Sequence, residues 1–112
     1  MSQVTTHVLD TTTGKTAPGI SVTLYHLTEN NWAEIAVDMT NMEGRVNDLL
    51  PKEIELEHGT YKLRFETKFY FEQLEMKTFY PFVEIVFLID SNAHYHIPLL
   101  ISPFGYTTYR GS

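Results

Sequence analysis

Residues 59–67 read Gly-Thr-Tyr-Lys-Leu-Arg-Phe-Glu-Thr, "GTYKLRFET". Successive side chains of an extended chain point to opposite sides. Tyr61, Leu63 and Phe65 therefore share one face, and Lys62, Arg64 and Glu66 share the other. That alternation predicts an antiparallel strand with one face on a core and one in water.

Neighbouring segments extend the same reading. In "ISVTLYHL" (20–27), Ile20, Val22 and Leu24 alternate with Ser21, Thr23 and Tyr25. "WAEIAVDM" (32–39) puts Ala33, Ile35, Val37 and Met39 on one side, which predicts an apolar face there. "VEIVFLI" (83–89) is apolar on both faces and is expected to be covered twice, by the core and by something else. "HYHIPLLI" (94–101) and "YTTYR" (106–110) are further strands. Only "FYFEQLEM" (69–76) breaks the period of two; Phe71 and Leu74, with Glu72 and Glu75 opposite, suit one short helix. Turn signals separate these runs, among them "TTTGKTAPG" (11–19), "TNMEG" (40–44) and "SPFG" (102–105). The pattern predicts an all-β sandwich of seven to eight strands with one short helix, in a single domain spanning 1–112. The 106–110 strand is rich in β formers and poor in charge, so at a sheet edge it would pair with a second copy of itself.

Composition narrows the function. Hydrophobic residues make up 43% and charged residues 20%, a globular balance. The net charge is -6 with eight Lys and Arg and no basic stripe, so no nucleic-acid partner is expected. No apolar run is long enough to span a bilayer as a helix, so no membrane partner is expected. "MSQVTTHVLD" has neither a basic opening nor an apolar stretch; no signal peptide is expected, and a cytoplasmic location is the default. With no cysteine, the chain has no disulfide, no thiolate nucleophile and no Cys-type metal site.

Four groups carry candidate chemistry: His7, Arg45, His96, and the closing Tyr109-Arg110-Gly111-Ser112, "YRGS". His94 and His96 lie two apart on a strand and face the same way. With His7 they have a spacing seen in zinc sites, but no carboxylate accompanies them, and an incidental His-X-His is the commoner case. A histidine suited to acid–base work needs a pKa near neutrality and a hydrogen bond that fixes its tautomer. Arg45 and Arg110 are either solvated arginines or planar forks for an anionic or carbonyl-rich ligand. Ser112 lacks the Gly-X-Ser-X-Gly context of a serine hydrolase. From the residues alone, an enzyme, a ligand carrier and an interaction module all stay open.

Two long segments decide between them by resemblance. "HVLDTTTGKTAPGI" (7–20) and "HYHIPLLISPFGYTTYRGS" (94–112) resemble the two signatures of the transthyretin-like family, and the strand, helix, strand order of "GTYKLRFETKFYFEQL" and "FYPFVEIVF" agrees. The family contains carriers of thyroid hormones and hydrolases that open 5-hydroxyisourate after urate oxidation. The resemblance places this chain with the hydrolases: His7 stands where carriers have Lys, Arg45 where hydrolases have Arg, His96 where carriers have Thr, and the "YRGS" ending is the hydrolase form. It implies His7 and His96 as the pair that activates water and relays a proton, and Arg45 as the group that binds the substrate's carbonyl edge and stabilises charge. Tyr109, Arg110, Gly111 and Ser112 are implied to position the substrate. His94 is not among the carried-over residues. No metal and no cofactor are implied. The partners implied are the small-molecule substrate 5-hydroxyisourate and further copies of the chain, in a homotetramer built as a dimer of dimers with the terminus lining an intersubunit cleft.

Overall fold

The structure is a computed structural model and describes every residue from Met1 to Ser112. Its strands are β1 (Val4–Asp10), β2 (Lys15–Thr16), β3 (Ser21–Thr28), β4 (Asn31–Met39), β5 (Arg45–Val46), β6 (Gly59–Phe65), β7 (Val83–Ile89), β8 (Tyr95–Ser102) and β9 (Gly105–Thr108). One helix, α1 (Thr67–Gln73), lies between β6 and β7. Two of the nine strands are only two residues long, which is where the count exceeds the expected seven to eight.

The strands form two sheets. One has the order β2-β1-β8-β9, with β5 also pairing β1; the other has the order β4-β3-β6-β7. Every pairing is antiparallel except that of β1 with β8, which is parallel over seven register pairs from Val4↔Tyr95 to Asp10↔Ile101. The inner faces supply a core of nineteen buried residues. As the alternation of 59–67 predicts, Tyr61, Leu63 and Phe65 are buried in it. Val22 and Leu24 on β3 and Ile97, Leu99 and Ile101 on β8 join them. On the solvent side of β6, Lys62 and Arg64 both reach Glu84 of β7, at 3.2 and 3.4 Å.

Three segments depart from the sequence reading. The apolar stripe of β4 faces water: Val37 and Met39 are each 56% exposed and Ile35 is 40% exposed. The register is set by β3. Val22 and Leu24 point into the core, so their partners Asp38 and Ala36 share that side and Val37 and Met39 are turned out. Ile35 is the extra residue of a bulge, since Leu24 pairs with Ala36 and Tyr25 with Glu34. The second departure is in β7, an edge strand whose outer face is bare: Val86 and Leu88 stand 57% and 66% exposed, so within this chain it is covered once and not twice. Third, α1 begins at Thr67 and ends at Gln73, earlier at both ends than 69–76. Phe71 is buried as expected, but Leu74 lies past the last turn and is exposed, because Glu75 leaves the helix at φ +57°.

The helix is tied to β1 by one polar contact. The Tyr70 hydroxyl donates to Asp10 Oδ2 at 2.7 Å, and the Thr12 N–H donates to Asp10 Oδ1 at 2.9 Å. Asp10 is fully buried. Burial, followed by the hydrogen bond and the charge of Asp10, pushes the Tyr70 phenol far above its ordinary pKa. Tyr70→Phe is expected to strand one carboxylate oxygen and to cost about 1–3 kcal/mol, read as a lower urea midpoint at unchanged m-value. Because the folded pKa of Tyr70 is raised, its contribution is complete below the unfolded value of 10.0 and is lost as pH rises above it. The gap between Tyr70→Phe and the parent should therefore narrow in alkali.

Candidate active site

β1 is the spine of the site. It pairs on one side with β8 and on the other with β5. Val4, Thr6 and Val8 point into the core, so Thr5 and His7 project from the opposite face of the sheet. The register sets Thr5 beside His96 and His7 beside Pro98 on β8, and His7 across from Arg45 on β5. Three residues that the sequence singled out, His7, Arg45 and His96, are thereby gathered on one sheet face from three adjacent strands.

A tight turn presents Arg45. The Asn41 side-chain carbonyl accepts the backbone N–H groups of Glu43 and Arg45 at 2.9 and 3.0 Å. Gly44 closes the turn at φ +74°, and a Cβ there would fall 2.4 Å from the Val8 carbonyl oxygen, so only glycine fits. The same turn brings the Glu43 carbonyl within 2.9 Å of His7 Nε2. A carbonyl only accepts, so His7 Nε2 carries the proton and the neutral ring offers its lone pair at Nδ1.

His96 is half-buried. Its Nδ1 lies 2.7 Å from Thr5 Oγ1, and its Nε2 makes no hydrogen bond within the chain. Burial lowers the pKa of His96 below 6.5, and the charges of Arg45, His94 and His7 lower it further. Burial and then Arg45 lower that of His7 too, opposed by its hydrogen bond to Glu43. At neutral pH the face therefore carries two uncharged imidazoles beside a guanidinium. Such a set can take a proton from water and stabilise a developing oxyanion.

The closing tetrapeptide divides. Gly111 bridges to His96, its N–H donating to the His96 carbonyl at 2.8 Å. A Cβ on Gly111 would lie 2.6 Å from His96 Cδ2 and 3.2 Å from Pro98 Cγ, so the terminus packs flat against the imidazole. Ser112 follows, exposed. Arg110 turns away: its guanidinium lies over the buried Tyr95 ring, 4.3 Å from the centroid. Arg110 and Tyr109 border a cleft of about 390 Å³ at the open edge between β7 and β9, floored by Phe87, Tyr95 and Ile97. Neither His7, Arg45 nor His96 lines that cleft.

No three His, Asp or Glu side chains converge as metal ligands, so His7, His94 and His96 do not form a three-ligand set. His94 and His96 do face the same way, their ring centroids 6.1 Å apart. The residue that sequence reasoning passed over is Thr5. A threonine in a strand carries no signal by itself, and only the long-range pairing of β1 with β8 sets it beneath two histidines.

The family model described as the HIUase/Transthyretin family matches residues 4–111. The 5-hydroxyisourate hydrolase of Mus musculus is 44% identical over 99% of this chain and 96% of its own length. Among solved structures, the 5-hydroxyisourate hydrolase of Klebsiella pneumoniae superposes with a TM-score of 0.85 at 35% identity, covering 97% of this chain and 98% of that one. The transthyretin of Sparus aurata superposes with a TM-score of 0.91 at 27% identity, covering 99% of this chain and 97% of that one.

The electrostatics of the face can be checked without substrate. In imidazole NMR titrations both His7 and His96 should titrate below 6.5, and Arg45→Met should raise both by removing a nearby positive charge. A pKa lowered by folding contributes stability above the unfolded value of 6.5 and loses it as pH falls below that value. Arg45→Met should therefore blunt the acid loss of stability. Titrations unmoved by the substitution would mean that Arg45 exerts no field on the rings.

Proposed function

The chain belongs to the HIUase/transthyretin family, and from that premise we infer that it is an enzyme that hydrolyses 5-hydroxyisourate to 2-oxo-4-hydroxy-4-carboxy-5-ureidoimidazoline, a step of urate catabolism. The observation that carries the reading is the gathering of His7, His96 and Arg45 on one face of the β5-β1-β8 ladder. Backbone likeness does not choose the branch, since the transthyretin from Sparus aurata superposes as well as the hydrolase from Klebsiella pneumoniae. Side chains do: two imidazoles and a guanidinium make a polar surface suited to a carbonyl-rich heterocycle and ill suited to an apolar hormone.

Hydrolysis adds water to an acyl carbon and breaks its bond to a ring nitrogen. The neutral imidazoles of His7 and His96 take the proton from water and return it to the leaving nitrogen. The Arg45 guanidinium binds the carbonyl edge and stabilises the oxyanion. Gly111 holds the terminus close to His96, and Tyr109, Arg110 and Ser112 orient the substrate once a second subunit closes over the face. The reaction so drawn uses no metal and no cofactor.

The assembly we propose is a homotetramer, a dimer of dimers. It is supported by the unpaired edges of β7 and β9 and by the exposed Val86 and Leu88. Residues 1–112 act as one domain in this reading, in keeping with their single core cluster. No helix is long and apolar enough to cross a membrane. The lack of cysteine accords with the cytoplasmic setting that we propose.

The test follows the ultraviolet decay of 5-hydroxyisourate generated in place from urate by urate oxidase. The parent protein should accelerate decay, and His96→Ala and Arg45→Ala should each lower the rate by about 10²–10⁴-fold with fold and assembly intact. Removing 109–112 should abolish activity. Decay at the spontaneous rate with the parent protein would reject the enzyme; normal turnover in His96→Ala would reject the residue assignment.

A further inference from the structure

Thr5 Oγ1 lies 2.7 Å from His96 Nδ1 and 2.8 Å from His94 Nε2. Thr5 is 2% exposed, His96 is half-buried and His94 is exposed. One buried hydroxyl thus bridges a shielded imidazole of the candidate site to an imidazole in contact with solvent. A hydroxyl has one proton to donate and two lone pairs with which to accept. It cannot donate to both rings. When it donates to His94 Nε2, His96 must donate to it and carries its proton at Nδ1, leaving a bare lone pair at Nε2. When it donates to His96 Nδ1, His94 donates to it and His96 carries its proton at Nε2. In both arrangements the tautomer of one ring dictates that of the other.

We propose that Thr5 and His94 form a proton relay behind His96, in which Thr5 is the positioning residue and His94 stores the proton between water attack and departure of the leaving nitrogen. The catalytic consequence rests on the hydrolase reading; the coupling of the two rings does not. In the first arrangement, His96 Nε2 takes a proton from the attacking water. The Nδ1 proton passes to Thr5 Oγ1 while the Thr5 proton passes to His94 Nε2. His96 ends neutral with its proton at Nε2, Thr5 ends neutral, and His94 ends as the imidazolium. The reverse shift operates when the leaving nitrogen takes the proton from Nε2. One proton enters and one leaves, and no other species is consumed.

The surroundings favour charge at the His94 end. His96 faces Arg45, and burial and then that guanidinium disfavour its cation, ahead of the effects of His94 and His7. His94 lines a cavity of about 440 Å³ with Gln3, Lys52, Glu53, Glu55 and Asn92. Met1 also lines it, so Glu53 and Glu55 are matched there by Lys52 and the N-terminal ammonium, and solvent can enter. A positive charge moved across Thr5 therefore leaves a half-buried place beside a guanidinium for an exposed, charge-balanced one in contact with water.

The test uses Thr5→Val, which keeps the side-chain shape and removes the hydroxyl, Thr5→Ser, which restores it, and His94→Gln, an exposed substitution that cannot titrate. Imidazole nitrogen NMR of the substrate-free protein should show His96 shifts that follow the titration of His94 in the parent and in Thr5→Ser, and lose that dependence in Thr5→Val. In the decay assay, Thr5→Val and His94→Gln should lower kcat about 10- to 100-fold, the cost typical of removing the partner that orients a functional histidine. KM should hold, and Thr5→Ser should recover most of the rate. Independent titrations in the parent, or parent-level kcat in His94→Gln across the pH range, would overturn the relay. Coupled titrations in a protein that leaves 5-hydroxyisourate untouched would support the bridge and overturn the hydrolase reading alone.

Discussion

The parallel pairing of β1 with β8 is the constraint on which the rest depends. It is the single parallel contact in an otherwise antiparallel fold, and it runs the full length of β1. It buries Val4 and Val8 against the inner residues of β8, and on the other face it lines Thr5 up with His96. A slip of one residue would turn Val4 and Val8 to solvent and His7 into the core. Hydrophobic burial thus enforces the register, and the register enforces the chemistry. β5 extends the same logic across the other edge, where the turn closed by Gly44 fixes Arg45 opposite His7.

What was legible in the sequence was whatever local periodicity controls. The alternations in 20–25 and 59–66 predicted inward and outward faces correctly, because each strand packs one face on the core. β4 misled for the same reason in reverse: it is an edge strand with a bulge, its register borrowed from β3, and its own apolar residues do not choose their side. The candidate site was legible only as types and positions. That His7 and Arg45 meet, and that Thr5 joins the two histidines, depends on contacts between distant parts of the chain that no local pattern encodes. The same limit applies to Arg110, whose stacking on Tyr95 is set by a bridge between Gly111 and His96 that turns its side chain to the other face.

The comparison with the transthyretin of Sparus aurata shows how little of the backbone bears on function. The two chains share a fold at a TM-score of 0.91 with 27% identity. A sandwich whose outer sheet face is open offers a platform, and the side chains at a few register positions on that platform decide between binding and catalysis. In this chain those positions hold groups whose protonation can change near neutral pH.

The bridge from Thr5 to His96 spans 91 residues of sequence. Contacts of that separation carry the largest loop-closure entropy and form late when a chain folds. The second sheet is built from nearer neighbours, β3 with β4, β3 with β6 and β6 with β7, and its pairings carry smaller loop-closure costs. The face that carries His7 and Arg45 gains its third member only when β8 docks alongside β1. A folding chain therefore holds one sheet before it holds any arrangement of paired histidines, and the face that carries His7, Arg45 and His96 is the last part of the fold to mature.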